Sequence, residues 1–551
     1  MTSPAKTVND LVLLFMNELT SRIVAQTGRP EDRFHLGKII LQSFKDAPDF
    51  VMQIDGLTGE TVTFGQALER TVRCAISFRN MGLKTGDVMV LMCPNYSDLA
   101  TAFYAALYEG IIIYAVDTSL GVQEIKNAFE VSQPKIILTQ TEKTSEIEEA
   151  LNALKLNTPI VTLDKGGKYL IFSDFVKKYT DNSPVENYKP NDFDPADTVA
   201  ILVATSGTTG VPKSAACSHK NLAVVQPYVW SRFTSFPTPT RMAMVCSSLQ
   251  WMTALMNYLT SPMMRFTRLQ STKRMTREHA YDLINKYKPT FTIMSPTLMT
   301  TLLTPGLRDI CNFSSFEVIL LSGSAVHQEL LDEVQKVMPS AQASICYGMS
   351  ELSGIAFHSV FPVRGACGLP LGCNLFRIID METSQDIHEP YVKGELWVKG
   401  PGTIKEYYKN IEATKLTYAE DGWFKTGDLF YRDEHFYYYF VERIKLLLKY
   451  QNYQISPVEV ERVILQHPGV MDAVVVGIPE KTSGELPAAF VMRRPGSDVS
   501  AQDIKDLVKR SLADSKQLRG GVIFVDAFPT TATSKVHRMK LTEMALTMRR
   551  E

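Results

Sequence analysis

The sequence predicts an α/β protein with a large N-terminal domain of βαβ-type sheets, residues 1–441, and a small α+β C-terminal domain, residues 442–551. Three observations predict it. A chain of 551 residues with 45% hydrophobic composition exceeds what one core takes, so it divides into two or more domains. Between residues 87 and 207 short β-rich runs alternate with helical patterns, the mark of parallel βαβ units. The last hundred residues carry a compact pattern of their own.

DVMVLMCPN (87–95) reads as a strand ending in a turn, TAFYAALYEG (101–110) as a helix and IIIYAV (111–116) as the next strand. The apolar stretch 99–116 is therefore a buried helix, a turn at Glu109-Gly110 and a strand, and not a membrane span. PKIILTQT (134–141) is a further strand, and TVAILVATSG (198–207) is a strand that runs into a hydroxyl-rich loop. Ligands of such sheets bind beyond the carboxyl ends of strands, where this loop falls. GELWVKG (394–400) is strand-like, and HFYYYFVERIKLLLKY (435–450) is a strand followed by a charged break, which places the domain boundary near Glu442–Lys445. SPVEVERVILQH (456–467) opens as a helix should, with Ser456 as N-cap, Pro457 first and Glu459 three residues after the serine. Strands at 472–478 and 486–493, a helix at 500–512 and a strand at 521–529 complete a βαβ pattern.

Lys+Arg is 58 and Asp+Glu is 59, so there is no basic surplus for nucleic-acid phosphates. The eight cysteines form no C-x-x-C pair and read as reduced thiols. LVLLFM (11–16) lacks the cleavage site of a secretory signal, and the C-terminal MRRE is not the S-K-L peroxisomal tripeptide. The expected location is intracellular, cytosolic or peroxisomal.

TSGTTGVPKS (205–214) concentrates hydroxyls and glycines before Lys213. A P-loop requires G-x-x-x-x-G-K-[ST], and Pro212 precedes this lysine. Backbone N–H groups of a glycine-rich turn, with Ser206, Thr208, Thr209 and Lys213, can still hold a phosphate. YGMSE (347–351) places Glu351 after a strand-like run, where a carboxylate beside a phosphate loop can hold Mg²⁺. In LLSGSAV (320–326) small residues let a flat base approach the backbone. In DGWFKTGDLF (421–430) Asp428 follows a tight Thr-Gly turn and can accept from both hydroxyls of a ribose. Lys449 follows an apolar run in ERIKLLLKY, and Lys535 sits in the polar segment PTTATSKVHR.

Taken in order, these segments resemble the adenylate-forming superfamily of acyl-CoA synthetases, 4-coumarate–CoA ligases and beetle luciferases, in particular insect luciferase-like acyl-CoA ligases. The resemblance runs from GLKTGDVMVLMCPN (82–95) to the C-terminus. It implies a mobile C-terminal domain and two half-reactions: a carboxylate attacks the α-phosphate of ATP, then the thiol of coenzyme A displaces AMP. Thr205, Ser206, Gly207, Thr208, Thr209, Gly210 and Lys213 would cradle phosphates. Glu351 would hold Mg²⁺. Gly323, Ser324, Ala325 and Tyr347 would enclose adenine, Gly348 and Ser350 would also bind ATP, and Asp428 with Arg443 would hold ribose. Lys445 would be the hinge, Lys535 would serve adenylation and Lys449 thioester formation. The expected substrate is a fatty or aromatic acid, with Trp251 in SSLQWMTAL limiting the pocket. Ser214, Glu406, Asn452 and Ser534 stand where the family has glycine, and Trp251 stands about where many relatives have histidine. Two alternatives stay open: a nucleotide- or acyl-binding homologue with weakened catalysis, and a luciferase-like monooxygenase.

Overall fold

Among the described residues four sheets organise the chain. The structure, a computed structural model, describes residues 10–205, 213–231, 241–359, 363–451, 453–480, 482–530 and 536–551. The alternating segment builds a seven-stranded sheet in the order Leu170–Ile171, Ile160–Thr162, Ile136–Thr139, Val88–Met92, Ile112–Ala115, Val199–Thr205, Lys213–Ser218. Its pairings are parallel until Lys213–Ser218 returns antiparallel beside Val199–Thr205. Every residue of Val88–Met92 is buried, as a strand covered on both faces requires.

The apolar stretch 99–116 is the helix Ser97–Glu109, a turn at Gly110 and the strand Ile112–Ala115. From Leu99 onward each residue of that helix is buried. Its one buried charge is satisfied: Arg79 Nε donates to Glu109 at 2.6 Å, and the Tyr188 hydroxyl donates to the other oxygen. Two further helices, Asp10–Thr27 and Leu36–Asp46, precede this region; neither was expected from the sequence.

The second sheet has nine strands, parallel from Gln342–Met349 through Val318–Leu321, Phe291–Met294, Met242–Val245 and Thr267–Gln270 to Val51–Asp55. Antiparallel pairs finish both edges. One buried cluster draws on both sheets, with Met89, Leu91 and Ile113 from the first and Val245, Ile293 and Leu320 from the second. The two sheets thus share a core and form one large N-terminal domain. A four-stranded antiparallel sheet follows, Leu375–Ile379, Gly394–Lys399, Phe424–Arg432 and Tyr438–Arg443.

After the turn Ile444–Leu446, the strand Leu448–Tyr450 opens the sheet of the smaller C-terminal domain. Val470–Glu480 and Gly484–Arg493 pair antiparallel, and only Gly521–Phe524 runs parallel, beside Gly484–Arg493. The βαβ reading of this region is corrected accordingly: Glu480 and Gly484 close a hairpin, a connection too short for a parallel crossover. The βαβ unit is the second strand, the helix Ala501–Ser511 and the third strand. Ser456 caps the helix Pro457–Ile464, accepting from Glu459 N at 3.3 Å. The Glu459 carboxylate takes Lys516 Nζ at 2.7 Å. The start of this helix is tied to the four-stranded sheet: Val458 N donates to Glu442 Oε2 at 3.2 Å, and Ser456 Oγ to the Val441 carbonyl at 3.4 Å.

Burial pushes the Asp472 carboxyl up to about 6. A carboxyl raised in the folded state leaves folding unpenalised below its unfolded value near 4; the cost builds as pH rises from there and is complete once pH passes 6. Asp472→Asn is therefore expected to stabilise the protein by about 1 kcal/mol above pH 7 and by nothing below pH 4. Thermal scans across that range check it, and a gain that is equal at both ends contradicts it.

Candidate nucleotide site

The candidate residues gather at the carboxyl ends of the parallel strands, the place where open α/β sheets take ligands. Val199–Thr205 ends at Thr205, whose Oγ1 donates to the Lys213 carbonyl at 3.1 Å, and the two residues are cross-strand partners. Ser206, Gly207, Thr208, Thr209 and Gly210 lie outside the described residues. Val318–Leu321 ends in the turn of Gly323, Ser324 and Ala325, with Gly323 and Ser324 exposed. The strand Gln342–Met349 carries Tyr347 and Gly348, and the single 3₁₀ turn Ser350–Leu352 presents Glu351.

Asp428 is 1% exposed. The Tyr347 hydroxyl donates to its Oδ2 at 2.6 Å, and Arg443 Nε lies 3.1 Å from Oδ1. The register explains the ion pair: Asp428 and Arg443 are directly opposite on neighbouring strands. The expectation of a tight Thr-Gly turn before Asp428 is corrected. Phe424–Arg432 is one continuous strand, and Glu395 and Trp397, two apart, pair with Leu429 and Lys425, four apart. The extra residues form a bulge in which Gly427 takes φ 69°, a conformation glycine adopts without steric cost. Glu395 Oε1 accepts from Gly427 N at 3.0 Å, and Thr426 Oγ1 accepts from Asp428 N at 3.1 Å. Burial and then the charge of Asp428 push the Tyr347 phenol well above its ordinary range, so Tyr347 stays a donor to that carboxylate. Its ring packs edge-on to Phe430 at 4.8 Å and stacks on Phe357 at 5.6 Å.

Glu351 is 7% exposed, and burial raises its carboxyl above the usual range. The Tyr407 hydroxyl opposes that shift by donating to Oε1 at 2.8 Å. Ile404 N donates to the Glu351 carbonyl at 3.0 Å. The Arg443 charge also opposes the upward shift at Glu351, after the Tyr407 hydroxyl. Lys213 Nζ stands 5.1 Å from the centre of the Tyr407 ring. Tyr407 is the site residue the sequence reading missed; its only signal there is its place beside Glu406 in KEYYKN. Gly348 is required by close approach, because a Cβ on it would stand 2.2 Å from the Gly354 carbonyl oxygen.

The remaining expected residues lie on other elements. Trp251 is half-buried and caps the helix Met252–Met264, its carbonyl accepting from Ala254 N and Leu255 N at 3.1 Å each. Lys445 is exposed in the turn between the domains. Lys449 is exposed on Leu448–Tyr450, with its backbone N–H on Glu485 at 2.8 Å. Lys535, Ser534 and Asn452 lie outside the described residues. Ser214 and Glu406 are not among the residues with positive φ, so neither strains the backbone where glycine was expected.

No group of three or more His, Cys, Asp or Glu that could hold a metal occurs among the described residues. One carboxylate fits Mg²⁺ nonetheless, because this ion keeps its waters and is commonly bound by one or two carboxylates plus substrate phosphates. No helix among the described residues is long and apolar enough to cross a membrane.

Residues 41–408 match the family described as AMP-binding enzyme, and residues 459–535 match the AMP-binding enzyme C-terminal domain. The chain is 30% identical over 517 residues to luciferin 4-monooxygenase of Photuris pensylvanica, covering 92% of this chain and 93% of that protein. It is 29% identical over 504 residues to the peroxisomal OPC-8:0-CoA ligase 1 of Arabidopsis thaliana, covering 89% and 90%. The fold is that of ATP-bound MatB from Rhodopseudomonas palustris, with TM-score 0.83, 23% identity and 93% and 98% of the two chains covered. It is equally that of the anthranilate CoA ligase AuaEII with anthranoyl-AMP, with TM-score 0.83, 20% identity and 92% and 97% covered. With a family match over most of its length and a site built on strand ends, the chain belongs to the AMP-binding, adenylate-forming enzymes.

Proposed function

We propose that the protein is an ATP-dependent carboxylic acid–CoA ligase that forms an acyl-adenylate and then a thioester. The observation that carries this reading is the buried Asp428 held by Tyr347 and Arg443, with the buried Glu351 in the turn that ends the strand of Tyr347, in an AMP-binding chain. Asp428 accepts the ribose hydroxyls, its carboxylate paired with Arg443. Gly323, Ser324, Ala325 and Tyr347 enclose adenine. Thr205, the glycines and hydroxyls of 206–210, and Lys213 receive the phosphates. Glu351 is the residue that would hold Mg²⁺, which when bound supplies charge neutralisation across the phosphates. The protein's part is positioning and fixed charge. Division of the chain at residue 442 belongs to the same reading, with Lys445 as the hinge.

The test is pyrophosphate release from ATP with a panel of fatty and aromatic acids, followed by thioester formation on adding coenzyme A. Pyrophosphate with at least one acid, and then its thioester, is the expected result. ATP binding without pyrophosphate from any acid favours a nucleotide-binding homologue. The 30% identity to the Photuris protein supports a second reading, oxidation of the adenylated substrate by oxygen; light emission with luciferin, ATP and Mg²⁺ distinguishes it.

Glu351→Gln keeps the shape and removes the charge. It is expected to lower Mg²⁺-dependent pyrophosphate release at least about tenfold, the scale for a charge-assisted contact, with an unchanged melting temperature. A variant as active as the wild type at limiting Mg²⁺ removes Glu351 from the metal-binding role. Trp251→Ala is expected to shift preference toward bulkier acids by about 10-fold or more, as pocket volume changes of a few methylenes do. An unchanged chain-length profile means that Trp251 does not line the pocket.

A further inference from the structure

Residues 401–408 run from the end of Gly394–Lys399 along the edge of the seven-stranded sheet. Ala216 N donates to the Glu406 carbonyl at 3.2 Å, Tyr408 N donates to the Ser214 carbonyl at 2.8 Å, and Ala215 pairs with Tyr407 as a β-bridge. The segment is thus fastened to the strand Lys213–Ser218 that leaves the phosphate loop. Its other side is fastened too: Asn221 Nδ2 donates to the Pro401 carbonyl at 2.7 Å and to the Thr403 carbonyl at 3.1 Å, and Asn374 Oδ1 accepts from Gly402 N at 3.1 Å. Ile404 N holds the Glu351 carbonyl at 3.0 Å.

Tyr407 sits at the centre of this arrangement and is 7% exposed. Its backbone N–H is held by Thr414 Oγ1 at 3.0 Å, which fixes the residue independently of its side chain. Two charged groups then meet on one phenol. The hydroxyl donates to Glu351 Oε1 at 2.8 Å. The ring face lies under the Lys213 ammonium, 5.1 Å from its centroid, within the range at which an aromatic face attracts a cation. A hydroxyl donor orients one carboxylate oxygen and leaves the other for a ligand, the task outer partners of metal-binding carboxylates perform. A ring face holds an ammonium without using its three N–H donors, which remain for phosphate.

We propose that Tyr407 is a positioning residue that couples the phosphate-binding Lys213 to the metal-binding Glu351, setting the separation of the cation and the carboxylate that share one nucleotide. This rests on the ligase reading for the roles of those two residues, and on the hydrogen bond and ring contact for the coupling. Tyr407 touches neither substrate nor metal; it acts through its two neighbours.

The two halves of the phenol separate by mutation. Tyr407→Phe removes the hydroxyl and keeps the ring; Tyr407→Leu removes both. Calorimetry of ATP binding to the full chain, with and without Mg²⁺, reads the coupling directly, and melting temperature reads folding. Tyr407→Phe is expected to lose about 10–100-fold of the affinity that Mg²⁺ adds, while ATP affinity without Mg²⁺ stays at the wild-type value. Tyr407→Leu is expected to lose Mg²⁺-free affinity as well, because Lys213 is released. A merely structural tyrosine lowers both affinities together in step with melting temperature, and that result overturns the proposal, as does a phenylalanine variant with the full Mg²⁺ increment. If wild type releases no pyrophosphate with any acid yet Tyr407→Phe loses its Mg²⁺ increment, the ligase reading fails and the coupling stands. Absence of ATP binding to the wild type overturns both.

Discussion

Lys535→Ala is expected to stop acyl-adenylate formation, cutting pyrophosphate release on the order of 10²–10³-fold, the effect of removing one preorganised electrostatic group. The same variant is expected to convert a supplied acyl-adenylate to thioester at the wild-type rate. Lys449→Ala is expected to do the reverse. Lys449 is exposed on the first strand of the smaller domain, immediately after the inter-domain turn. Lys535 directly precedes Val536, which bridges to Thr530, ahead of the helix Arg538–Thr547 anchored by Arg538 Nη1 on Glu461 at 2.8 Å. Both lysines follow Lys445 in the chain, and under the proposed reading the smaller domain turns about Lys445 and presents them to the nucleotide in turn. Separate assays of the two half-reactions decide it; equal losses in both halves by either variant contradict the two-pose scheme.

Gly348→Ala is expected to destabilise the protein by about 3 kcal/mol or more and to abolish adenylate formation. A Cβ at Gly348 meets backbone of the neighbouring strand: the Gly354 carbonyl oxygen at 2.2 Å and the Ile355 Cα at 2.8 Å. These atoms belong to the antiparallel partner strand, where Gly348 pairs with Ile355 and Met349 with Gly354. No rotamer relieves such a contact, so the strands must part. Tyr347 and Glu351 flank the point of separation, and activity falls further than the folded fraction. Thermal scans with nucleotide-binding measurements check both halves of the expectation, and a variant with wild-type melting and binding refutes it.

Much of the fold was legible because burial leaves a strong pattern. The runs 87–95, 111–116, 134–141 and 198–207 are apolar, short and bounded by turn residues, and each became a strand of one sheet. The hairpin Val470–Glu480 with Gly484–Arg493 was misread as part of a βαβ pattern, since two adjacent apolar strands look alike whichever way they pair. For the site, the carboxylates Asp428 and Glu351 could be singled out from type and position, but the hydrogen bond from Tyr347 to Asp428 could not, because it joins positions 81 apart in the chain. The bulge at Gly427 could not, because Thr-Gly serves turns and bulges alike and only cross-strand pairing distinguishes them. Tyr407 was not legible because its role depends on two partners, Lys213 and Glu351, 194 and 56 positions away in the chain.

The pairing of Tyr438–Arg443 with Phe424–Arg432 has a consequence for insertions. Leu429 faces Glu442, and Asp428 faces Arg443. Because neighbouring residues of a strand point to opposite faces, Glu442 addresses the N–H of Val458 at the start of a helix, while Arg443 addresses Asp428. Each charge suits its address: a helix start favours an anion, and a buried aspartate needs a cation. A slip of one residue loses both. In one direction it sets Glu442 against the buried Asp428 and leaves Val441 at the helix start; in the other it sets Arg443 at the positive end of the helix and leaves Ile444 against Asp428. The last strand before the inter-domain turn therefore has a locked reading frame. Length changes that a surface connection ordinarily tolerates are excluded up to Arg443 and become permissible only beyond it.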